Sequence, residues 1–215
     1  MNLVGLTDTK LAALYRQVTN EVERRARIAA NGHDAAALVH GNEMAKRALV
    51  VAAAGGHSLL LVGSANCGKS MLRAVALELG LGQTWEARPC PCGNHSTPYA
   101  ACSCTARQIE RHREKFPVAD ITVEMVRQPE REMRSPGTTL AEMRRQIEAK
   151  ADHTSLDLDD VTSGLLRTAV AELGVDPDVR RRIITVARTI ANLDRRERIE
   201  APHLMEAINY RGMVR

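Results

Sequence analysis

Two stretches of this 215-residue chain carry residue types at spacings that could do chemistry. The first is Gly63-Ser64-Ala65-Asn66-Cys67-Gly68-Lys69-Ser70, which fits the pattern G-x-x-x-x-G-K-[ST]. Glycines in such a loop let backbone N–H groups turn inward onto phosphate oxygens. A helix starting at its end presents its positive pole to the same anion. Lys69 would then reach the β- and γ-phosphates of ATP, and the Ser70 hydroxyl would ligate Mg²⁺. The plainer alternative is a glycine-rich strand-to-helix turn with an exposed lysine. The apolar run before the loop and the helical spacing after it favour the nucleotide loop. Cys67, inside it, reads as a small filler or as a thiol activated by the helix dipole.

The second stretch pairs Cys90-Pro91-Cys92-Gly93 with Cys102-Ser103-Cys104, nine residues separating the two C-x-C units. Four thiolates converging from one loop would suit tetrahedral Zn²⁺. The commoner zinc spacing is C-x₂-C, so four unliganded thiols or a disulfide pair remain alternatives. His95 is an alternate ligand, and Gly93, Asn94 and Pro98 supply turns. The N-terminus, MNLVGLTDTK, has no basic segment leading into an apolar one, so no signal peptide is expected. Clustered cysteines in an unexported chain point to a reducing, cytoplasmic setting.

Phosphate binding is not hydrolysis. Cleavage needs a carboxylate at the end of a neighbouring strand to hold Mg²⁺, and a group to orient water. No apolar run ends in an acidic pair. Asp120 follows too short a run, Glu124 sits in an alternating segment, and Asp157, Asp159 and Asp160 read as a helix N-cap region. The catalytic carboxylate is therefore not identified.

The elements that must position these residues follow from pattern. Aromatic residues are only 2% of the chain, so the core must be aliphatic, which favours helices and excludes broad stacking platforms for single-stranded nucleic acid. A net charge of +4 tolerates a phosphate-bearing partner without requiring one. No apolar run reaches the roughly 18 residues of a membrane-spanning helix. Helices are expected over 7–30, from Asn42 to Gly55-Gly56, and over 70–79 and 105–115. The charged run Glu21 to Arg27 reads as a solvated face. Ser58 to Val62 reads as a strand buried on both faces. Further short strands are expected near Thr84–Arg88 and Ile121–Val126, with edges open to a partner. Residues 127–137 read as a linker, and helices follow over 138–150, 158–173, 177–193 and 200–210.

Three segments together resemble one family. They are Gly41 to Leu49 continuing through Ala52 to Gly63, then Arg88 to Gly93 with Cys102 to Cys104, and finally Ile183 to Leu193 with Glu197-Arg198-Ile199 and His203 to Arg211. In this order they are similar to the magnesium-chelatase-like AAA+ ATPases of the ComM type. The resemblance implies an α/β fold: a reduced P-loop AAA+ core with a small parallel sheet over 33–128, including a cysteine loop at 88–104. A helical lid over 138–215 would follow, behind an N-terminal helix at 1–32 in place of the family's large N-terminal domain. It implies ATP with Mg²⁺ held through Ser70, possible homo- or hetero-oligomers, and a link to DNA through the ComM branch. Departures from the family pattern matter as much. Only twenty positions separate Ser70 from Cys90, so the stretch carrying the Walker B acidic pair is absent. Arg88 stands at the sensor-1 asparagine position and Val118 at that of an arginine. Asp178 stands at the sensor-2 position, with Arg180, Arg181 and Arg182 close enough to substitute. The expected function is nucleotide binding with weak or no hydrolysis. The alternatives are a DNA motor whose carboxylate is unrecognised or comes from a partner, and a non-enzymatic zinc and helical interaction module.

Overall fold

The computed structural model describes residues 34–95, 100–128, 137–173 and 177–211. The helix expected over 7–30, the charged run Glu21 to Arg27, Pro98 and most of the 127–137 linker lie outside them. Leu59–Gly63 forms β1, and all five residues are buried. That burial explains why the run shows no polar alternation. β2 (Thr84–Ala87) and β3 (Ile121–Met125) flank it, both parallel, in the order β2-β1-β3. The register places Leu61 beside Glu86 and Val123, and Val62 beside Ala87 and Glu124. Leu59, Leu61, Ile121, Val123 and Met125 enter the main core on one face. Leu60 and Val62 meet Ala119 and the half-buried Trp85, Ala87 and Phe116 on the other.

The helices are α1 (Ala35–Leu38), α2 (Glu43–Gly55), α3 (Lys69–Glu78), α4 (Ala106–Arg113), α5 (Leu140–Glu148), α6 (Asp160–Leu173), α7 (Pro177–Leu193) and α8 (Ala201–Asn209). All except α1 lie where the sequence pattern placed them, because their ends are locally encoded. Gly56, left-handed at φ 67°, closes α2 by donating to Ala52 O. Thr105 and Gln108 form a reciprocal capping box on α4. Asp159 accepts from Thr162 N at 2.7 Å at the start of α6, as the N-cap reading expected. Pro202 sits in the first turn of α8. The short α1 was not anticipated. Asp34 organises it by accepting from Ala36 N and Ala37 N through one oxygen, and through the other it accepts from Leu140 N at 2.7 Å.

The helices after residue 138 share the core of the sheet. Met143, Leu166, Ile183, Ile190 and Leu204 lie in the same buried cluster as Leu49 and Leu59. Several of their polar ties are to the amino end of the sheet. Thr122 N donates to Tyr210 O at 2.9 Å, across the outer edge of β3. Arg211 Nη1 donates to Ala119 O at 2.6 Å, and Arg182 Nη1 lies 3.3 Å from Asp120 Oδ1. Asp120 Oδ2 accepts from both Ser58 N (3.0 Å) and Ser58 Oγ (2.6 Å), while Asp120 N donates back to Ser58 Oγ at 2.9 Å. This exchange joins the residues just ahead of β1 and β3, and Arg182 attaches α7 to them.

Burial alone would raise the Asp120 pKa. The two hydrogen bonds from Ser58 and the charge of Arg182 outweigh it and hold the carboxyl below its ordinary value. A depressed folded-state pKa contributes stability that is full above the ordinary carboxylate value and is lost as pH falls from there through the lower folded value. Asp120→Asn is therefore expected to lower the unfolding free energy by about 1.5–3 kcal/mol at neutral pH. The gap to wild type should narrow in acid, as read by urea denaturation at a series of pH values.

Candidate nucleotide site and cysteine centre

The carboxyl end of β1 runs into the loop Gly63–Ser70. A Cβ at Gly63 would fall 2.5 Å from Met125 O and 2.7 Å from Cys67 Sγ, so only glycine lets the loop lie this close to β3. Asn66 and Gly68 take left-handed conformations, φ 60° and 95°, and turn the chain into α3. Ser64 and Ala65 complete the turn. Cys67 is 5% exposed and packs under the loop, which matches the filler reading. Lys69 Nζ folds across the loop and donates to Gly63 O (2.8 Å) and Ser64 O (2.6 Å), with Cys67 Sγ at 3.6 Å. Phosphate oxygens would compete for that ammonium group directly.

A cleft of about 420 Å³ opens against the loop, lined among others by Val39, His40, Asn42, Lys69, Met71 and Gln128. This volume lies within the range of small-ligand pockets. The chain leaves β1 for β2 on one side and then crosses to β3 on the other, so the cleft lies where the winding of the sheet reverses. Asn42 fixes one wall: its side chain donates to Val126 O at 3.0 Å and accepts from Val126 N at 2.9 Å. The backbone cradle at Gly63, the ammonium group inside it and the apolar Val39 and Met71 beside it fit a nucleotide with its phosphates. Sequence reasoning missed the wall from Leu38 to Asn42 and Gln128. The available signal was Gly41-Asn42, a left-handed pair (φ 60° and 53°) ahead of α2.

The four cysteines come together. All four Sγ atoms of Cys90, Cys92, Cys102 and Cys104 lie within 4.8 Å of one another. Three of the separations are 3.4, 3.7 and 3.7 Å. Sulfurs at about 2.3 Å from a tetrahedral zinc would be about 3.8 Å apart, so the donor set could hold one such ion. Gly93, at φ 82°, closes the first turn with its N–H on Cys90 O at 3.0 Å. His95 contributes its backbone amide to Cys90 Sγ at 3.3 Å. α4 starts directly after Cys104, and the His112 ring contacts Arg88 O at 3.1 Å, so this helix folds back on the cysteine loop.

The amides of Asn94 and Ser103 bring the Cys92 thiol down to about 6. The Cys104 amide also stabilises a thiolate at Cys102, but desolvation and the hydrogen bonds shared with Cys92 and Cys90 outweigh it and push Cys102 up to about 12. Four sulfurs this close cannot all ionise without a cation between them.

None of the acidic residues weighed in the sequence touches the phosphate loop. Asp120 opens β3 at the far end of the sheet, and a five-residue strand spans about 17 Å. Glu124 pairs with Val62 in the row that faces the smaller cluster. Asp157 accepts from Ser155 Oγ, and Asp159 caps α6. Arg88, Val118, Asp178, Arg180 and Arg181 are exposed. Arg182 is engaged with Asp120 at the amino end of the sheet. Among the described residues, Glu86 does reach the loop: its Oε2 accepts from Ser70 Oγ at 2.8 Å. No sequence pattern flagged it.

Two family models match the chain. Residues 35–84 match the family model "Magnesium chelatase, subunit ChlI", and residues 94–211 match "Magnesium chelatase, subunit ChlI C-terminal". The phosphate loop falls in the first match, Cys102 and Cys104 fall in the second, and residues 85–93 fall in neither. The competence protein ComM of Haemophilus influenzae is 38% identical over 69 residues, which are 32% of this chain and 14% of that protein's length.

Thiolate ligands must lose their protons to bind a metal, so affinity weakens as pH falls. Purified under reducing conditions, the protein is expected to carry about one zinc ion per chain by elemental analysis. Cys102→Ser should lose it, and wild type should release it on acidification.

Proposed function

This chain belongs to the magnesium chelatase ChlI family, and from that premise we propose that it binds ATP or ADP in the Gly63–Ser70 loop and hydrolyses it weakly or not at all. The observation that carries the reading is the loop itself. Gly63 is held against Met125 where no side chain fits, with Lys69 drawn over the loop's carbonyls at the mouth of a cleft. Lys69 would neutralise the terminal phosphates and the Ser70 hydroxyl would face Mg²⁺, which supplies charge neutralisation when bound. The weak-turnover half rests on what surrounds the loop. The residues at the sensor and arginine positions are exposed or engaged elsewhere, and no described carboxylate is placed to orient an attacking water. An arginine finger alone is worth ~10³-fold or more in rate.

Within this reading residues 33–128 are the shortened AAA+ core and 138–215 its helical lid. The cysteine loop is a structural zinc site that stiffens the exit from β2. An AAA+ module of this kind would work as a regulatory or structural subunit, alone in an oligomer or beside an active relative. A role on DNA rests on the likeness to ComM and the basic segments Arg180–Arg182 and Arg195-Arg196, and carries less weight.

Titration calorimetry with ATP, comparing wild type with Lys69→Ala, tests the proposal when phosphate release is followed on the same samples. Binding in wild type, a loss of about tenfold or more in the variant and no release above background are expected. Turnover at ordinary AAA+ rates would overturn the weak-hydrolysis half. Absence of binding in wild type would overturn the whole.

A further inference from the structure

Glu86 lies on β2, beside Leu61 of β1, two positions before the phosphate loop begins. Its side chain lies against the first turn of α3. Oε2 accepts from Ser70 Oγ at 2.8 Å, and Arg73 Nη1 stands 3.7 Å from Oε1. Ser70 and Arg73 share one face of α3, being three residues apart. The carboxylate is 22% exposed and the Arg73 guanidinium 50% exposed, so the acid is the fixed partner and the cation the movable one. Ser70 and Arg73 fall within the first family match, and Glu86 lies two residues beyond its end.

Mg²⁺ takes near-octahedral oxygen ligands at about 2.0–2.1 Å, which places neighbouring ligand oxygens about 2.9 Å apart. The 2.8 Å between Ser70 Oγ and Glu86 Oε2 already matches that edge. We propose that Glu86 and Ser70 together hold the Mg²⁺ that accompanies a nucleotide bound in the Gly63–Ser70 loop. Glu86 thus fills the role of the acidic residue this chain lacks on its missing strand. The inference rests on the nucleotide-binding reading above. One carboxylate holds the ion, while among the described residues no second one is placed to orient water, so the pair gives Mg²⁺-dependent binding without rapid turnover. Arg73 competes with the ion for the same carboxylate.

The test compares ATP affinity in excess EDTA with that in excess Mg²⁺, by calorimetry, for wild type, Glu86→Gln and Arg73→Gln. By linkage, the ratio of the two affinities measures how strongly the protein–nucleotide complex prefers the ion. Wild type should bind ATP more tightly with Mg²⁺. Glu86→Gln should lower that ratio by about tenfold or more and leave the EDTA affinity unchanged or tighter. Arg73→Gln should raise the ratio. An equal ratio in wild type and Glu86→Gln, with ATP still bound, overturns the role of Glu86 and leaves nucleotide binding standing. No ATP binding by wild type in either buffer overturns both. If Glu86→Gln loses binding in EDTA as well, Arg73→Gln decides: a raised ratio supports the site and an unchanged ratio overturns it.

Discussion

The burial of β1 on both faces is the constraint from which the other features follow. A three-stranded parallel sheet has little surface of its own to bury, and its centre must be covered above and below. Here one face is covered by α2, α3 and the later helices, while on the other the described residues that pack with Leu60 and Val62 are Ala119, Trp85, Ala87 and Phe116. The strand is therefore held at its ends as well as its faces. At its amino end Ser58 exchanges hydrogen bonds with Asp120. At its carboxyl end Gly63 lies against the carbonyl of Met125. The phosphate loop inherits its geometry from this second contact, and α7 is attached through the first.

Much of this was legible from the sequence because it is local. The four aliphatic residues of β1, the capping signals at Thr105 and Asp159, and Pro202 each act within a few positions. What was not legible depends on residues far apart in the chain. Asp34, which caps the four-residue α1, also bonds Leu140, 106 positions later. Asp120 looked like a poor catalytic carboxylate, and its actual partners, Ser58 and Arg182, each lie 62 positions away. Glu86 sits in a four-residue strand too short to show alternation, and Ser70 is its partner only because β2 pairs with β1 in one register.

The cysteine centre was half legible. Its spacing named the four residues, but convergence depended on the left-handed turn at Gly93 and on α4 folding back toward Arg88. The two candidate sites also prove to be neighbours in topology. The phosphate loop leaves the carboxyl end of β1, and the cysteine loop leaves the carboxyl end of β2 beside it. The contact between Ser70 and Glu86 lies between them, one strand position before Ala87 and shortly ahead of Cys90.

The scarcity of aromatic residues has a practical side. The chain has a single tryptophan, and it is Trp85, half-buried on β2 and adjacent in sequence to Glu86. Excitation at the red edge of the indole band addresses this residue alone, since tyrosine does not absorb there. Its emission is thus an intrinsic optical reporter on β2, read without labels in the same cuvette as a ligand titration. A change in the packing or polarity of that strand would alter the emission of one fluorophore whose position is known.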